Sequence, residues 1–281
     1  MNAASPASGT PPDRDPAALP RLVWTVAAVL LLWPGLQLTE FDPAALLNEQ
    51  SLATMGRFVG SFLPPAASPE FLGLVLRATV ETIAMATAGV AIAIAVALPL
   101  ALAATRTLSV SRIGPARRAW TGEALRVPVQ WLLIALRSIP EIVWALLFVR
   151  AVGLGPAAGV LAIAINYAGM LGKVYFETFD SGDTRPARAV LEAGGGRLAA
   201  FWYGVFPVAL PELVSYSVYR WECAVRASVV MGFIGAGGLG QQMELSIRML
   251  NGAEVSTILI TFFLLVLLAD AVSAALRRAL A

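Results

Sequence analysis

The run from Val255 to Ala269 contains no charged residue and includes the stretch Ile-Leu-Ile-Thr-Phe-Phe-Leu-Leu-Val-Leu-Leu-Ala at 258–269. A bilayer core about 30 Å thick needs roughly 20 predominantly apolar residues per helical crossing. The run belongs to a longer segment, 254–276, which meets that length. Five more segments read the same way: 21–38, 71–104, 127–149, 156–178 and 205–234, the last being the most polar. These are much longer than the roughly 10-residue alternating strands of a membrane barrel. The reading is therefore an all-α, polytopic membrane protein of about six transmembrane helices. Composition agrees, because 58% of the 281 residues are apolar and only 14% charged, against roughly 25% charged in a soluble domain.

The same composition excludes chemistry. The chain has no histidine and one cysteine, Cys223. An internal disulfide, a His/Cys zinc site and any catalytic histidine are therefore ruled out, as are the Ser–His and HExxH routes of intramembrane enzymes. The only lysine is Lys173, in Gly172-Lys173-Val174, so the Gly-Lys-Ser/Thr sequence of a P-loop is missing. This chain does not hydrolyse ATP by that route and is read as a non-enzyme that binds no cofactor of its own. A net charge of +2 gives no reason to expect nucleic acid as a partner.

Orientation follows from the distribution of arginine. With the N-terminus inside, twelve basic residues fall in cytoplasmic loops and tails: Arg14, Arg21, Arg106, Arg112, Arg117, Arg118, Arg126, Arg185, Arg188, Arg197, Arg277 and Arg278. Three fall outside: Arg57, Arg150 and Arg248. The positive-inside rule places both termini in the cytoplasm. Residues 1–20, rich in Pro, Ala and Ser, read as a disordered cytoplasmic tail. Residues 21–70 read as a first helix and outer loop, and 71–281 as the main transmembrane domain.

The loop at 180–204 is the one large excursion on the inner side. It holds three consecutive glycines and a short helix at about 186–193, capped by Asp183 or Thr184, with Pro186 in its first turn and Gly194 at its end. A second short helix is expected from Arg197 to Tyr203, before Pro207. On composition alone this is either a solvated loop or a rigid knob for a partner.

Charged residues inside the apolar segments fall in three i,i+4 pairs: Arg77/Glu81, Arg137/Glu141 and Glu222/Arg226. That spacing puts each pair on one helix face. Isolated charges at membrane depth are costly, so pairing and inward orientation follow. Arg137 and Arg220 lie mid-segment, with Pro140 interrupting the third segment. They are candidates, with Glu141, Glu222 and Arg226, to line a pathway tolerable to an oxyanion. Asn166 and Tyr167 are polar at membrane depth and either face substrate or bond between helices. Asp270 is expected to pair inside the bundle. Gly235–Gly240 satisfies G-x-G-x-x-G, but a membrane segment precedes it instead of a strand, which rejects the dinucleotide reading. Gly235, Gly237, Gly238 and Gly240 read instead as a tight turn at the outer face.

The 180–204 loop resembles the cytoplasmic loop of binding-protein-dependent ABC importer permeases. Ala189, Gly194 and Phe206-Pro207 fall on that family's pattern, and Arg188 stands where the pattern has an acidic residue, with Glu192 following. More extended matches are Arg137-Ser138-Ile139-Pro140-Glu141, the stretch Gly169-Met170-Leu171-Gly172-Lys173, Tyr219-Arg220-Trp221-Glu222 and Gly235–Gly240. These resemble the phosphonate-importer permeases, over residues 71 to the C-terminus. The resemblance implies a type I ABC importer permease fold in a bacterial inner membrane. It also implies a periplasmic binding protein outside, two ATPase subunits carrying ATP and Mg inside, and a second permease chain as a homodimer. The 184–204 loop, with Arg188, Ala189, Glu192, Gly194, Arg197 and Pro207, would then be the ATPase-coupling element, and the glycine turn would lie at an outer gate. The implied cargo is a phosphonate-like oxyanion: phosphonate, phosphite or hypophosphite. The competing readings are an ABC permease for another small solute, such as an amino acid, and an ion-coupled carrier using the buried Arg and Glu residues.

Overall fold

The computed structural model describes residues 18–39, 48–106 and 120–280. Most of the 1–20 tail, and Arg112, Arg117 and Arg118 of the second cytoplasmic loop, lie outside the described residues. The chain divides into two units, Met1–Arg57 and Phe58–Ala281.

The first unit contains α1 (Ala18–Leu38), which exposes Trp24, Leu31 and Trp33. Its continuous apolar stretch, Leu19–Gly35, is shorter than a full crossing. The helix α2 (Glu49–Gly60) begins in this unit.

The second unit is built on α3 (Pro69–Ala104). Its start is specified locally: the Ser68 hydroxyl accepts from the Phe71 N–H, and Pro69 occupies the first turn, where a missing N–H costs nothing. There follow α4 (Trp120–Ser138), α5 (Glu141–Val152) and α6 (Pro156–Ser181). A short helical hairpin follows, α7 (Arg185–Glu192) and α8 (Arg197–Ala200). A π-helical turn at Phe201–Val205 carries α8 straight into α9 (Phe206–Met231). A glycine-rich turn then leads to α10 (Gly238–Arg248) and α11 (Gly252–Leu280). All regular structure among the described residues is helical.

Four continuous runs are long and apolar enough to cross a bilayer: 69–104, 156–181, 197–236 and 252–279. The third expected segment, 127–149, is corrected: it is two helices, α4 and α5, bent by 86° at Ser138–Pro140. Counted as one broken span, the pair brings the total to five among the described residues, with α1 falling short. Proline explains the break, since it cannot donate to the helical ladder and forces the residue before it out of helical geometry. The freed groups find partners. The Trp144 indole donates to the Leu136 carbonyl at 3.3 Å, and the Ser138 hydroxyl donates to the Ile134 carbonyl at 2.6 Å.

The pairing of α3 with α6 is the most extensive in the bundle. Small residues make it possible: Ala86, Ala93, Ala97 and Ala101 on α3, and Ala158 and Ala162 on α6, are all fully buried. With lipid as apolar as leucine, close backbone approach between helices takes the place of hydrophobic burial. On another face of α6, a methyl group at Gly169 would stand 2.9 Å from the Arg137 amide nitrogen, so α4 and α6 touch there at backbone distance.

Candidate functional site

Two glycine-bearing turns meet. The chain leaves α5 through Gly153 and Gly155, both at positive φ, and the Gly155 N–H donates to the Gly235 carbonyl at 2.9 Å. Gly235, Gly237 and Gly238 also have positive φ, a conformation that costs a side chain-bearing residue energy. Gly237, Gly238 and Gly240 are buried, and the turn rests against α3 at Glu81 and Thr82, about 18 Å along that helix from Pro69 at 1.5 Å per residue. There the Glu81 carboxylate accepts the Gly238 N–H at 3.1 Å, and the Thr82 hydroxyl accepts the Leu239 N–H at 3.0 Å. The first two free N–H groups of α10 are thus capped by side chains of another helix. The Ser228 hydroxyl donates to the Thr82 carbonyl at 3.1 Å, tying α9 to the same point. Glu81 therefore serves the turn and makes no ion pair with Arg77, which is exposed.

A group of charged and polar residues includes Glu141 at the α4–α5 break. Glu141, at the first position of α5 after the break, accepts from the Asn166 amide at 2.8 Å. It is not paired with Arg137: the bend separates the two onto different helices, and Arg137 is exposed in the last turn of α4. Asn166 is fully buried, and its amide oxygen has no partner. Glu222 is buried and ion-paired with Arg226, and Arg277 of α11 approaches it at 4.0 Å. Glu222/Arg226 is the one expected pair that forms as read. Arg220 is half-buried; its Nε donates to the Tyr216 hydroxyl at 2.8 Å. The Arg220 guanidinium carbon lies 6.0 Å from the ring centroid of Tyr167. Six of the seven expected pathway residues thus fall in three contacting pairs, Glu141 with Asn166, Arg220 with Tyr167 and Glu222 with Arg226, and Arg137 stands apart. Asp270 corrects its expectation, lying exposed on α11 with no partner among the described residues.

Beside this group, α3, α6 and α9 enclose an open cavity of about 440 Å³ lined almost wholly by apolar side chains, among them Ile94, Leu213 and Trp221. Its chemistry does not suit an anion, and the charged group is the better candidate.

At the inner end, α7 matches the expected short helix: Thr184 is its N-cap residue and Pro186 lies in its first turn. Asp183 accepts the Arg185 backbone N–H at 2.9 Å and pairs with its guanidinium. These hydrogen bonds from Arg185 hold the Asp183 carboxyl below its ordinary range. Gly194 follows the helix at positive φ. The second expected helix is not separate, since 197–236 runs without interruption. Arg188, Ala189, Glu192, Gly194, Arg197 and Pro207 are all exposed. Beneath them, Phe201 packs edge-on against Phe179 and Trp202, with centroids 5.2 and 5.6 Å apart, and Phe206 stacks beside Trp202 at 4.9 Å. A methyl group at Gly204 would stand 2.5 Å from the Ala187 backbone. That glycine, missed in the sequence, is what lets α7 lie flat against the start of α9.

Residues 113–281 match the family described as binding-protein-dependent transport system inner membrane component. The phosphite transport system permease protein PtxC of Stutzerimonas stutzeri is 35% identical over 241 residues, covering 84% of this chain and 81% of that one. The chain belongs to this family. It is a membrane transport subunit and not an enzyme. A second S. stutzeri permease, HtxE, is 41% identical over 145 residues, 52% of this chain and 56% of that protein. The fold is shared with the permease of the MetNI methionine ABC transporter in an inward-facing conformation, with a TM-score of 0.65 and 24% identity over 76% of this chain and all of that one. Among the described residues, no group of three or more His, Cys, Asp or Glu is placed to hold a metal ion.

Proposed function

We propose that this permease carries phosphonate-like phosphorus oxyanions (phosphonate, phosphite or hypophosphite) across a bacterial inner membrane. A periplasmic binding protein delivers them, two separate ATPase subunits bearing ATP and Mg drive the step, and a second copy of the chain completes the pathway. PtxC is named for phosphite transport, which supports that cargo over an amino acid. The observation that carries the reading is the broken span α4–α5, bent at Ser138–Pro140, with Glu141 at the break in a cluster that has an excess of positive charge. Irregular backbone at membrane depth is stable only where protein covers it or it borders a water-filled cavity. Discontinuous helices near charged residues mark substrate sites in transporters. Arg220, Arg226 and Arg277 against Glu141 and Glu222 leave one cation in surplus. Asn166 and Tyr167 add polar groups to the same wall.

In this reading the exposed residues of 184–204 meet the ATPase, and the aromatic packing under them transmits its closure to α9. The glycine turn 235–240 closes the outer side through Glu81 and Thr82. Both termini are cytoplasmic, following the arginine distribution. The test is reconstitution in liposomes of this chain with its ATPase and binding protein. Phosphite uptake should require all three components and ATP. Uptake by this chain alone, driven by a proton gradient, would overturn the reading in favour of an ion-coupled carrier.

A further inference from the structure

Arg220 differs from the other cations of the cluster in its surroundings. Its guanidinium carbon lies 5.0 Å from the ring centroid of Tyr216, 5.7 Å from that of Tyr219 and 6.0 Å from that of Tyr167. Tyr216 and Tyr219 precede it by four and one positions on α9, and Tyr167 comes from α6. The nearby carboxylates are engaged elsewhere. Glu222 serves Arg226 and Arg277, and Glu141 accepts from Asn166. Aromatic faces therefore take the place of a counter-ion. They attract the guanidinium through the ring quadrupole but leave its in-plane hydrogen-bonding edges unused.

The Tyr216 hydroxyl occupies Nε. The two terminal amino groups have no partner among the described residues, and Tyr219, beside them, is 43% exposed. What remains is a planar, fixed-charge fork among three tyrosine rings on a half-buried surface. Such a fork binds two oxygens of a carboxylate or phosphate-type anion at once, which the point charge of a lysine cannot do. The absence of a bound carboxylate leaves it available. A merely structural arginine at membrane depth would instead be expected to close on Glu141 or Glu222.

We infer that Arg220 is the residue that contacts the passing oxyanion, that it selects for anions presenting two acceptor oxygens at once, and that Tyr216 is its positioning residue. This rests on the phosphorus-oxyanion reading above and narrows it to one side chain. The contrary possibility is a strut, in which the cation–π contacts only hold α6 against α9.

The test uses the complete importer in liposomes, with uptake of radiolabelled phosphite and binding-protein-stimulated ATP hydrolysis followed in parallel. R220K should lower phosphite uptake about tenfold while stimulated ATP hydrolysis stays within about twofold, because the charge remains and the fork is lost. Y216F should lower uptake about threefold and reduce discrimination of phosphite from chloride, which presents no pair of oxygens, with an unchanged thermal midpoint. Wild-type uptake and discrimination in R220K would overturn this inference alone. So would a parallel fall of uptake, ATP hydrolysis and thermal midpoint in both variants, the behaviour of a strut. A wild-type importer that hydrolyses ATP but takes up none of phosphite, hypophosphite and methylphosphonate would overturn the cargo reading and this inference with it.

Discussion

The inner hairpin and the glycine turn sit at opposite ends of α9 and are fastened by different forces. The hairpin is held by ring-on-ring packing around Phe201, which is 2% exposed, and by backbone contact at Gly204. Its polar residues face outward. The glycine turn is held by hydrogen bonds that Glu81 and Thr82 accept from backbone N–H groups. Packing is cumulative and nearly non-directional, so a packed element moves as one piece with whatever it is packed on. A hydrogen-bonded latch is directional and lost over a fraction of an ångström. The difference suits a lever fixed at one end and a catch at the other.

The sharpest way to break the contrast is Phe201→Ala. Truncating a fully buried phenylalanine costs about 3–5 kcal/mol. The hairpin should loosen, so that ATP hydrolysis no longer responds to the binding protein while the glycine turn stays intact; a thermal midpoint in detergent and the stimulation ratio check both parts. Next in size is Gly237→Val. It forces a β-branched residue to a φ of +90° and places a carbon 2.7 Å from the Glu81 Oε1, a strain of about 1–3 kcal/mol. The expected phenotype is the reverse: retained coupling to the ATPase, but ATP hydrolysis that no longer requires the binding protein.

Smaller again is Thr82→Val, which keeps the shape and removes the acceptor for Leu239. A buried N–H left unmet costs about 1–3 kcal/mol, and adding Glu81→Gln should lower the thermal midpoint by little more, because an amide oxygen still accepts from Gly238. The smallest effect belongs to the exposed Asp183–Arg185 pair. With the Asp183 carboxyl depressed in the folded state, its contribution is present above the ordinary carboxylate range and disappears as pH falls through its lowered folded-state value. Asp183→Asn should therefore narrow the gap between thermal midpoints at pH 7 and pH 3 slightly, without changing uptake.

The sequence made the inner end more legible than the centre. Thr184, Pro186 and Gly194 are local signals that act within one turn, and α7 appears where they place it. Glu222/Arg226 is equally local, lying inside an unbroken stretch of α9. Arg137/Glu141 has the same spacing, but the i,i+4 rule assumes an unbroken helix, and Pro140 removes that assumption. Glu81 looked like Arg77's partner because its actual partner, the Gly238 amide, is 157 residues away. No periodicity encodes such a contact. The tyrosines around Arg220 were visible as residues but not as a cage, since Tyr167 joins from a different helix. Arg277 was counted as a topological marker and proves to be a neighbour of Glu222.

Asp270 gives the fold a consequence for biogenesis. A carboxylate within an apolar helix, exposed on the surface of its own subunit, opposes insertion by up to about 2.5–3.5 kcal/mol on translocon scales, the cost at the helix centre. A newly made copy is consequently a poor long-term resident of the lipid until something covers that side chain. Cells making it without the other components of its operating assembly should degrade it faster, and Asp270→Leu should lengthen its lifetime in a pulse-chase measurement.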